Sequence, residues 1–580
     1  MTHVRNLLDI LDHHAQSHPE KIAFNFIEEH KEKSITYLEL HNSSKQLAAE
    51  LQSQSLEGER AIILFPPGID YIISFLGCLY AQVIPVPAYP PAGFKEAEAV
   101  DKLLRVTLDS QAKVVMSHFK IEDLIHKKNL QNHTGAPKTL KALDLLNSLQ
   151  WIDGTTSFKQ VSDWSEPDFK AEEIAFLQYT SGSTGHPKGV IVGHDNILAN
   201  LKFIADSSSL NHSSHVVSWL PPYHDMGLIG GILYPLYIGC TCHMMSPISF
   251  LMNPFLWLKT ISETGAEGSG APDFAYALCT KKISDEQLKE LDLSDWKTCF
   301  TGAEPIRSRT IDEFSKKFSI CGFDKKTFFP CYGLAESTLM VTASDPNTVP
   351  NFLSLDPVAL EKGIAELMEN STKKVMGSGN QYGDNTIIIV DSETLKQKKD
   401  CEVGEVWINS TCNAKGYWNK PELTEKMFQA TQKDYPGKKF LRSGDLGFKK
   451  NGELYITSRM KDLIIIENKS YAPSDLESAA ELADSLIRPG CGAAFSTETS
   501  GKEELCIVFE VKPECLDTHS VELNIKQALL KTEGVKVNHV MLIEKGSIPK
   551  TSSGKIRRAE TKKQFIQQKL KPFLSQSSKS

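Results

Sequence analysis

At 580 residues the chain is too long for one hydrophobic core and implies a few domains. Apolar residues make up 41% and charged residues 23%, as in soluble globular proteins, and a formal net charge of -8 argues against general nucleic-acid binding. Twelve cysteines without regular spacing read as reduced thiols of a cytoplasmic protein.

The N-terminal stretch MTHVRNLLDILDHHAQ sets Leu7, Leu8, Ile10 and Leu11 among Asp9, Asp12 and two histidines. That is the pattern of an amphipathic helix, not of a signal-peptide core, and nothing addresses the chain to an export route. Residues 37–52 read as a helix and 61–65 as a strand. The most apolar window, 71–88, is interrupted by Gln82, Pro85 and Pro87 before it reaches the roughly twenty residues of a membrane span. A buried helix followed by a short strand, VIPVPA, is expected there, and no transmembrane segment. Strands at 113–116, 216–219 and 406–408 alternate with helices at 196–205 and 308–317, which predicts α/β architecture with mainly parallel sheets. No internal repeat occurs. Cys240-Thr-Cys242-His243 holds metal-ligand residue types but lacks a second pair, so core thiols are expected. Residues 575–580 have the composition of a disordered tail.

An apolar run at 174–177 leads into YTSGSTGHPKG at 179–189, and Val190, Ile191 and Val192 follow. A strand, a turn and a second strand are the simplest reading. Gly182, Gly185 and Gly189 let backbone N–H groups approach an anion closely. Thr180, Ser181, Ser183 and Thr184 add hydroxyl donors, and Lys188 adds a compact positive charge. The loop has the chemistry of a phosphate cradle. It is not a Walker A sequence, because Lys188 stands between Pro187 and Gly189.

YTSGSTGHPKG resembles the signature of the adenylate-forming superfamily, which includes acyl-CoA synthetases, adenylation domains, luciferases and fatty acyl-AMP ligases. The resemblance runs from about Leu8 to Lys563. It implies a large multi-sheet N-terminal domain over 1–458, a hinge at 459–461 and a small, mobile α+β C-terminal domain over 462–580. Residues 71–91, YIISFLGCLYAQVIPVPAYPP, resemble the equivalent stretch of the fatty acyl-AMP ligases in particular.

In WLPPYHDMGLIG, 219–230, the prolines end a strand and Asp225 is suited to cap a helix. In the family this stretch lies beside the carboxylate of the bound acid. Amino-acid-activating relatives carry an Asp where His224 stands, so a plain carboxylic acid with an apolar tail is implied. The turn Gly302-Ala303-Glu304-Pro305 and the segment YGLAEST, with Tyr332, Gly333 and Glu336, each follow an apolar strand, where a doubly wound sheet places its ligand contacts. By resemblance the turn contacts adenine, Tyr332 stacks on it, and Glu336 reaches Mg2+, a hard cation suited to carboxylate oxygen.

Residues 351–376 lengthen the connection to the next strands, as an insertion does in fatty acyl-AMP ligases, where it restrains the C-terminal domain. Asp356-Pro357 reads as a helix start, with Leu360, Ile364 and Leu367 continuing at i, i+4 and i+7. In RSGDLG the resemblance gives Asp445 both ribose hydroxyls. Arg459 then supports the nucleotide, and Lys461 is the pivot. Asn468 stands where relatives usually have Gly, which leaves a CoA-forming step open and the adenylation step intact. PKTSSGKIRR, 549–558, matches the catalytic-lysine motif through Lys555.

These motifs together imply a fatty acyl-AMP ligase. Such an enzyme activates a fatty acid with ATP and Mg2+ and passes the acyl group to an acyl carrier protein, or to the carrier domain of a polyketide or peptide synthase. Lys555 and His224 are the candidate catalytic residues, and Thr180 to Gly185 with Lys188 hold the phosphates. An acyl-CoA synthetase and a non-catalytic nucleotide-binding descendant are the competing readings.

Overall fold

The structure, a computed structural model, describes residues 4–28, 31–90, 96–118, 144–146, 148–155, 159–170, 173–180, 187–371, 373–383, 385–466, 469–499, 502–551 and 554–573. Short β-branched runs separated by amphipathic helices give two sheets whose inner strands run parallel. Across the larger, nine-stranded sheet the order is Asn380–Gln381, Met340–Ala343, Phe328–Gly333, Thr298–Thr301, Gly268–Ala271, His215–Ser218, Thr241–Met245, Ile22–Glu28 and Lys31–Thr36. From Phe328–Gly333 to Ile22–Glu28 every pairing is parallel, and the outer strands are antiparallel. The second sheet, Ile84–Pro87, Arg60–Ile63, Val114–Met116 and Gln150–Ile152, is parallel throughout.

The expectation of mainly parallel sheets holds for these two only. Ile174–Thr180, Lys188–Gly193 and Gly416–Tyr417 pair antiparallel, as do Thr386–Val390, Gly404–Asn409, Leu441–Lys450 and Glu453–Arg459. Their connections include the two-residue turn Asn451-Gly452, with φ of 53° and 88°. A link that short makes a hairpin and has no room for a crossover.

The helices start where their caps predict. Asn6 accepts from the N–H groups of Leu8 and Asp9 and opens Leu7–Ser17, which buries Leu7, Leu8, Ile10 and Leu11. Thr36 and Glu39 form a capping box at Tyr37–Ser53. The apolar window is the buried helix Ile69–Tyr80 followed by the strand Ile84–Pro87. No helix among the described residues is long and apolar enough to cross a membrane. Cys240 and Cys242 are fully buried at and within the strand Thr241–Met245.

The segment at 351–376 departs from its expected helix. Asp356 does cap Pro357–Glu361, accepting from Val358 and Ala359 N–H at 2.7 and 3.2 Å. Gly363, at φ +78°, then ends the helix, and Ile364 and Leu367 make bridges to Glu402 and Leu355. The apolar spacing here serves a hairpin-like fold in which Phe352–Ser354 pairs with Lys374–Met376.

Residues after Ile464 have apolar cores of their own. One includes Ile464, Leu476, Phe509, Ile525 and Leu542, and a smaller one includes Val508, Ile543 and Leu570. Three helices, Pro473–Leu482, Thr518–Thr532 and Arg558–Ile566, pack with the sheet Ile487–Thr499, Lys502–Val511 and His539–Ile543. Within this unit the buried carboxylate of Glu477 accepts from Arg558 through Nε and a terminal nitrogen, both at 2.6 Å, and from Ala494 N–H at 3.0 Å. Removing the guanidinium would leave a buried charge unpaired. Arg558→Ala is expected to destabilise this unit by about 3–5 kcal/mol, and Arg558→Lys is expected to recover only part of the loss because it cannot form the fork. Urea unfolding of the three proteins measures both.

Candidate active site

Parallel strands deliver their following loops to one edge of the large sheet. Trp219 to Asp225 follow His215–Ser218, Phe274 follows Gly268–Ala271, the turn at Gly302 follows Thr298–Thr301, and Tyr332 ends its own strand Phe328–Gly333. Two glycines are required there by space. A Cβ on Gly302 would lie 2.8 Å from the Cys331 carbonyl oxygen, and one on Gly333 only 1.8 Å from that of Leu339. Ala303 holds φ +68° and Thr338 φ +65°, so both motifs carry backbone strain at the edge where they meet.

The turn is fixed from below. Glu304 accepts from Phe274 N–H at 2.8 Å, and the exposed Ala303 and Pro305 flank it. Asp273, 4% exposed, accepts from Arg307 N–H at 3.0 Å and from the Thr310 hydroxyl at 2.9 Å. Burial pushes the Asp273 carboxyl up to about 7 and raises Glu304 as well. Asp273 escaped the sequence reading, because an Asp at the first position of a helix is ordinarily a cap.

Tyr332 donates to Asp445 at 2.7 Å, and Arg459 Nε donates to the other carboxylate oxygen at 3.1 Å. Asp445 and Arg459 face each other across paired strands, which sets that contact. Burial raises the Asp445 carboxyl, and Arg459 and the Tyr332 hydroxyl oppose the shift.

The phosphate-loop candidates divide. Thr180 ends the strand Ile174–Thr180 and Lys188 begins Lys188–Gly193, paired with each other as expected of a strand–turn–strand. Ser181, Gly182, Ser183, Thr184 and Gly185 lie outside the described residues, as do Asn468 and the tail at 575–580. Lys188 Nζ lies 5.1 Å from the Tyr417 ring centroid, and Tyr417 donates to Glu336 Oε1 at 2.7 Å. Burial lowers the Lys188 ammonium, followed by repulsion from Lys461, while Glu336 raises it. The structure therefore brings Lys188, Glu336 and Lys461 together.

Lys555 completes the group. Gly554, at φ +86°, passes over Phe274, whose ring atoms would lie 3.5 Å from an added Cβ. Thr551 and Lys555 exchange hydrogen bonds: Thr551 N–H donates to the Lys555 carbonyl at 2.7 Å and Lys555 N–H to the Thr551 hydroxyl at 3.0 Å. The Lys555 ammonium is lowered by burial first; Asp225, Glu304 and Asp445 raise it, and Arg459 lowers it. His224 is pushed down to about 3 by burial, helped by Lys102 and Lys555, and stays neutral at pH 7. Beside it a small cavity is lined by Pro87, Ala88, Tyr89, Leu103 and Tyr223, with Lys102 also on its wall. The arrangement sets Lys188 and Lys555 near carboxylates and an uncharged imidazole beside an apolar cavity.

A family model described as AMP-binding enzyme matches residues 11–418, and one described as the AMP domain of Disco-interacting protein 2-like proteins matches 461–574. The chain is 36% identical over 572 residues to a medium-chain-fatty-acid–[acyl-carrier-protein] ligase of Moorena producens, covering 97% of this chain and 95% of the relative. It is 33% identical over 586 residues to a long-chain-fatty-acid–AMP ligase of Mycobacterium marinum, covering 96% of each. A solved structure of fatty acyl-adenylate ligase from Legionella pneumophila, in complex with acyl adenylate and pyrophosphate, is similar at a TM-score of 0.74 and 37% identity. That match covers 97% of this chain and 96% of the other.

The electrostatics predict two unusual titrations. In histidine NMR, with the resonance assigned from His224→Asn, the His224 ring is expected to remain neutral from pH 8 to pH 5. In ¹³C-dimethylated protein, Lys555, assigned from Lys555→Arg, is expected to titrate below 10.5. A His224 midpoint near 6.5 contradicts the burial assigned to it.

Proposed function

The chain belongs to the AMP-binding enzyme family, on its fatty acyl-AMP ligase branch, and from that premise we propose that it converts a fatty acid and ATP to acyl-adenylate and pyrophosphate, then passes the acyl group to the phosphopantetheine thiol of a carrier protein. The observation that carries the reading is Lys555, held on its Gly554 turn above Phe274 within the electrostatic reach of His224, Asp225, Glu304 and Asp445. A lysine from the last motif of the chain stands where the earlier motifs meet.

In the first step a carboxylate oxygen bonds to the α-phosphorus of ATP, and the bond to the bridging oxygen breaks as pyrophosphate leaves. Both reactants are anions, so positive charge and positioning carry the rate. Lys555 bridges the attacking carboxylate and the α-phosphate. Lys188, with Thr180 to Gly185, takes the leaving phosphates. Asp445 receives the ribose hydroxyls, Arg459 supports it, and the turn from Gly302 to Pro305 with Tyr332 and Gly333 receives adenine. His224 lies beside the acid; being neutral, it offers no counter-charge to a substrate amine, and the cavity wall from Pro87 to Tyr89 suits an apolar tail. In the second step the thiol sulfur attacks the acyl carbonyl and AMP leaves.

Mg2+ fits the site. Tyr417 occupies one oxygen of Glu336, and the other has no hydrogen-bond partner among the described residues. A hard carboxylate oxygen near Lys188 is the donor this cation prefers. Glu336 would hold it, and bound Mg2+ would neutralise phosphate charge.

The domain reading follows the same logic. The separate apolar cores after Ile464 support a hinge at 459–461 with Lys461 as pivot. Ion pairs join the segment at 351–376 to residues beyond that hinge, Lys373 to Asp475 and Glu361 to Lys469. They support the restraint expected of a fatty acyl-AMP ligase insertion.

Incubating the protein with ATP, Mg2+ and fatty acids, with a phosphopantetheinylated carrier protein or with CoA, and weighing the products, tests the proposal. Acyl-adenylate and acyl-carrier are expected; efficient acyl-CoA release would place the chain with the acyl-CoA synthetases. Lys555→Ala is expected to lose about 10²–10³ in the rate of adenylate formation, the scale of one transition-state donor, while ATP still binds.

A further inference from the structure

The residues assigned by motif to the phosphates and to Mg2+, Lys188 and Glu336, meet on a side chain that belongs to neither motif. Tyr417 is 3% exposed. Its hydroxyl donates to Glu336 Oε1 at 2.7 Å, and its ring lies 5.1 Å from Lys188 Nζ. The backbone on either side is fixed to the same two elements. Ala414 N–H donates to the Glu336 carbonyl at 2.9 Å, Tyr417 pairs with Val190, and Trp418 N–H donates to the Gly189 carbonyl at 2.8 Å. Phe428 packs on the ring edge-on at 5.3 Å, and Tyr417 N–H donates to the Thr424 hydroxyl at 2.9 Å. A buried tyrosine with its own orientation fixed holds a carboxylate with its oxygen and an ammonium with its ring.

We propose that Tyr417 is the positioning residue of the metal–phosphate subsite, its hydroxyl aiming the Glu336 carboxylate at the divalent cation and its ring face aiming Lys188 at the phosphates. The role rests on the assignment of Glu336 to Mg2+ above. Glu336 enters from the short helix Ala335–Ser337, whose C-cap Thr338 holds a positive φ, so a carboxylate anchored at one oxygen keeps the other directed. A phenol donating to a carboxylate also withdraws charge from that oxygen and leaves its partner as the better ligand. The ring attracts Lys188 without neutralising it, as a carboxylate would, so the full positive charge remains for the leaving phosphates.

The two functions separate by substitution. Tyr417→Phe keeps the ring and removes the hydroxyl; Tyr417→Leu removes both. ATP binding is measured by calorimetry in EDTA and across a Mg2+ series, with thermal unfolding as the control for folding. For Tyr417→Phe, ATP affinity in EDTA is expected to stay within about twofold of the unchanged protein, while the Mg2+ concentration giving half the metal-dependent gain rises about tenfold, the scale of a hydrogen bond to a charged group. Tyr417→Leu is expected to weaken ATP in EDTA as well. Tyr417→Phe equal to the unchanged protein in both series overturns the role of Tyr417, as does an equal loss with and without Mg2+, the mark of a merely structural residue. If the unchanged protein gains no ATP affinity from Mg2+ yet forms acyl-adenylate, the metal assignment of Glu336 fails and this role fails with it. If it forms no acyl-adenylate at all, the proposed function is what has failed.

Discussion

Lys188 and Lys461, and likewise Lys555 and Arg459, lie within each other's electrostatic reach, and that repulsion is the constraint around which their surroundings are arranged. It shows directly in two places: Lys461 lowers Lys188, and Arg459 lowers Lys555. The chain has to hold this charge in place. It does so with carboxylates set to the side. Asp225, Glu304 and Asp445 surround Lys555, and Glu336 faces Lys188. Each carboxylate is itself occupied: Asp225 with Met226 N–H, Glu304 with Phe274 N–H, Asp445 with Tyr332 and Arg459, and Glu336 with Tyr417. None makes a direct ion pair with Lys188 or Lys555 among the described residues. Opposite charge near an ammonium, yet not bonded to it, offsets the repulsion without forming an ion pair.

The fold makes this possible by bringing parallel strands to a common edge. The stretch after His215–Ser218, the turn after Thr298–Thr301 and Tyr332 in Phe328–Gly333 share the nine-stranded sheet, and Tyr332 there meets Asp445 of a different sheet, 113 positions on, at 2.7 Å. The glycines at 302 and 333 matter for this reason. They let neighbouring strand ends close up to a distance at which a methyl group would strike a carbonyl oxygen.

Much of this was legible beforehand because it depends on local chemistry. The strands flanking the phosphate loop, the caps at Asp225 and Asp356 and the turns after apolar strands are set by neighbours in sequence. Long-range pairing was not legible. Leu360, Ile364 and Leu367 have helical spacing, but a glycine at a left-handed φ and two bridges to distant residues overrule it. Tyr417 in GYWNKP reads as a core aromatic, and its contact with Glu336 spans 81 positions. Asp273 looks like an ordinary residue of a helix's first turn; burial, which sequence does not display, separates it from one.

The attachment of the C-terminal unit then follows from magnitudes. Its polar ties to the rest include Arg307 to Glu481 at 3.3 Å, Lys373 to Asp475 and Glu361 to Lys469, and each involves a side chain at least 29% exposed. The more exposed of them, Arg307–Glu481 and Glu361–Lys469, contribute about 0–1 kcal/mol apiece. The buried fork between Arg558 and Glu477 lies within the unit and travels with it. Apolar cores of its own are what the proposed hinge at 459–461 requires of this unit. Had that fork joined the residues after Ile464 to the rest of the chain instead, separating the two would strand a buried carboxylate.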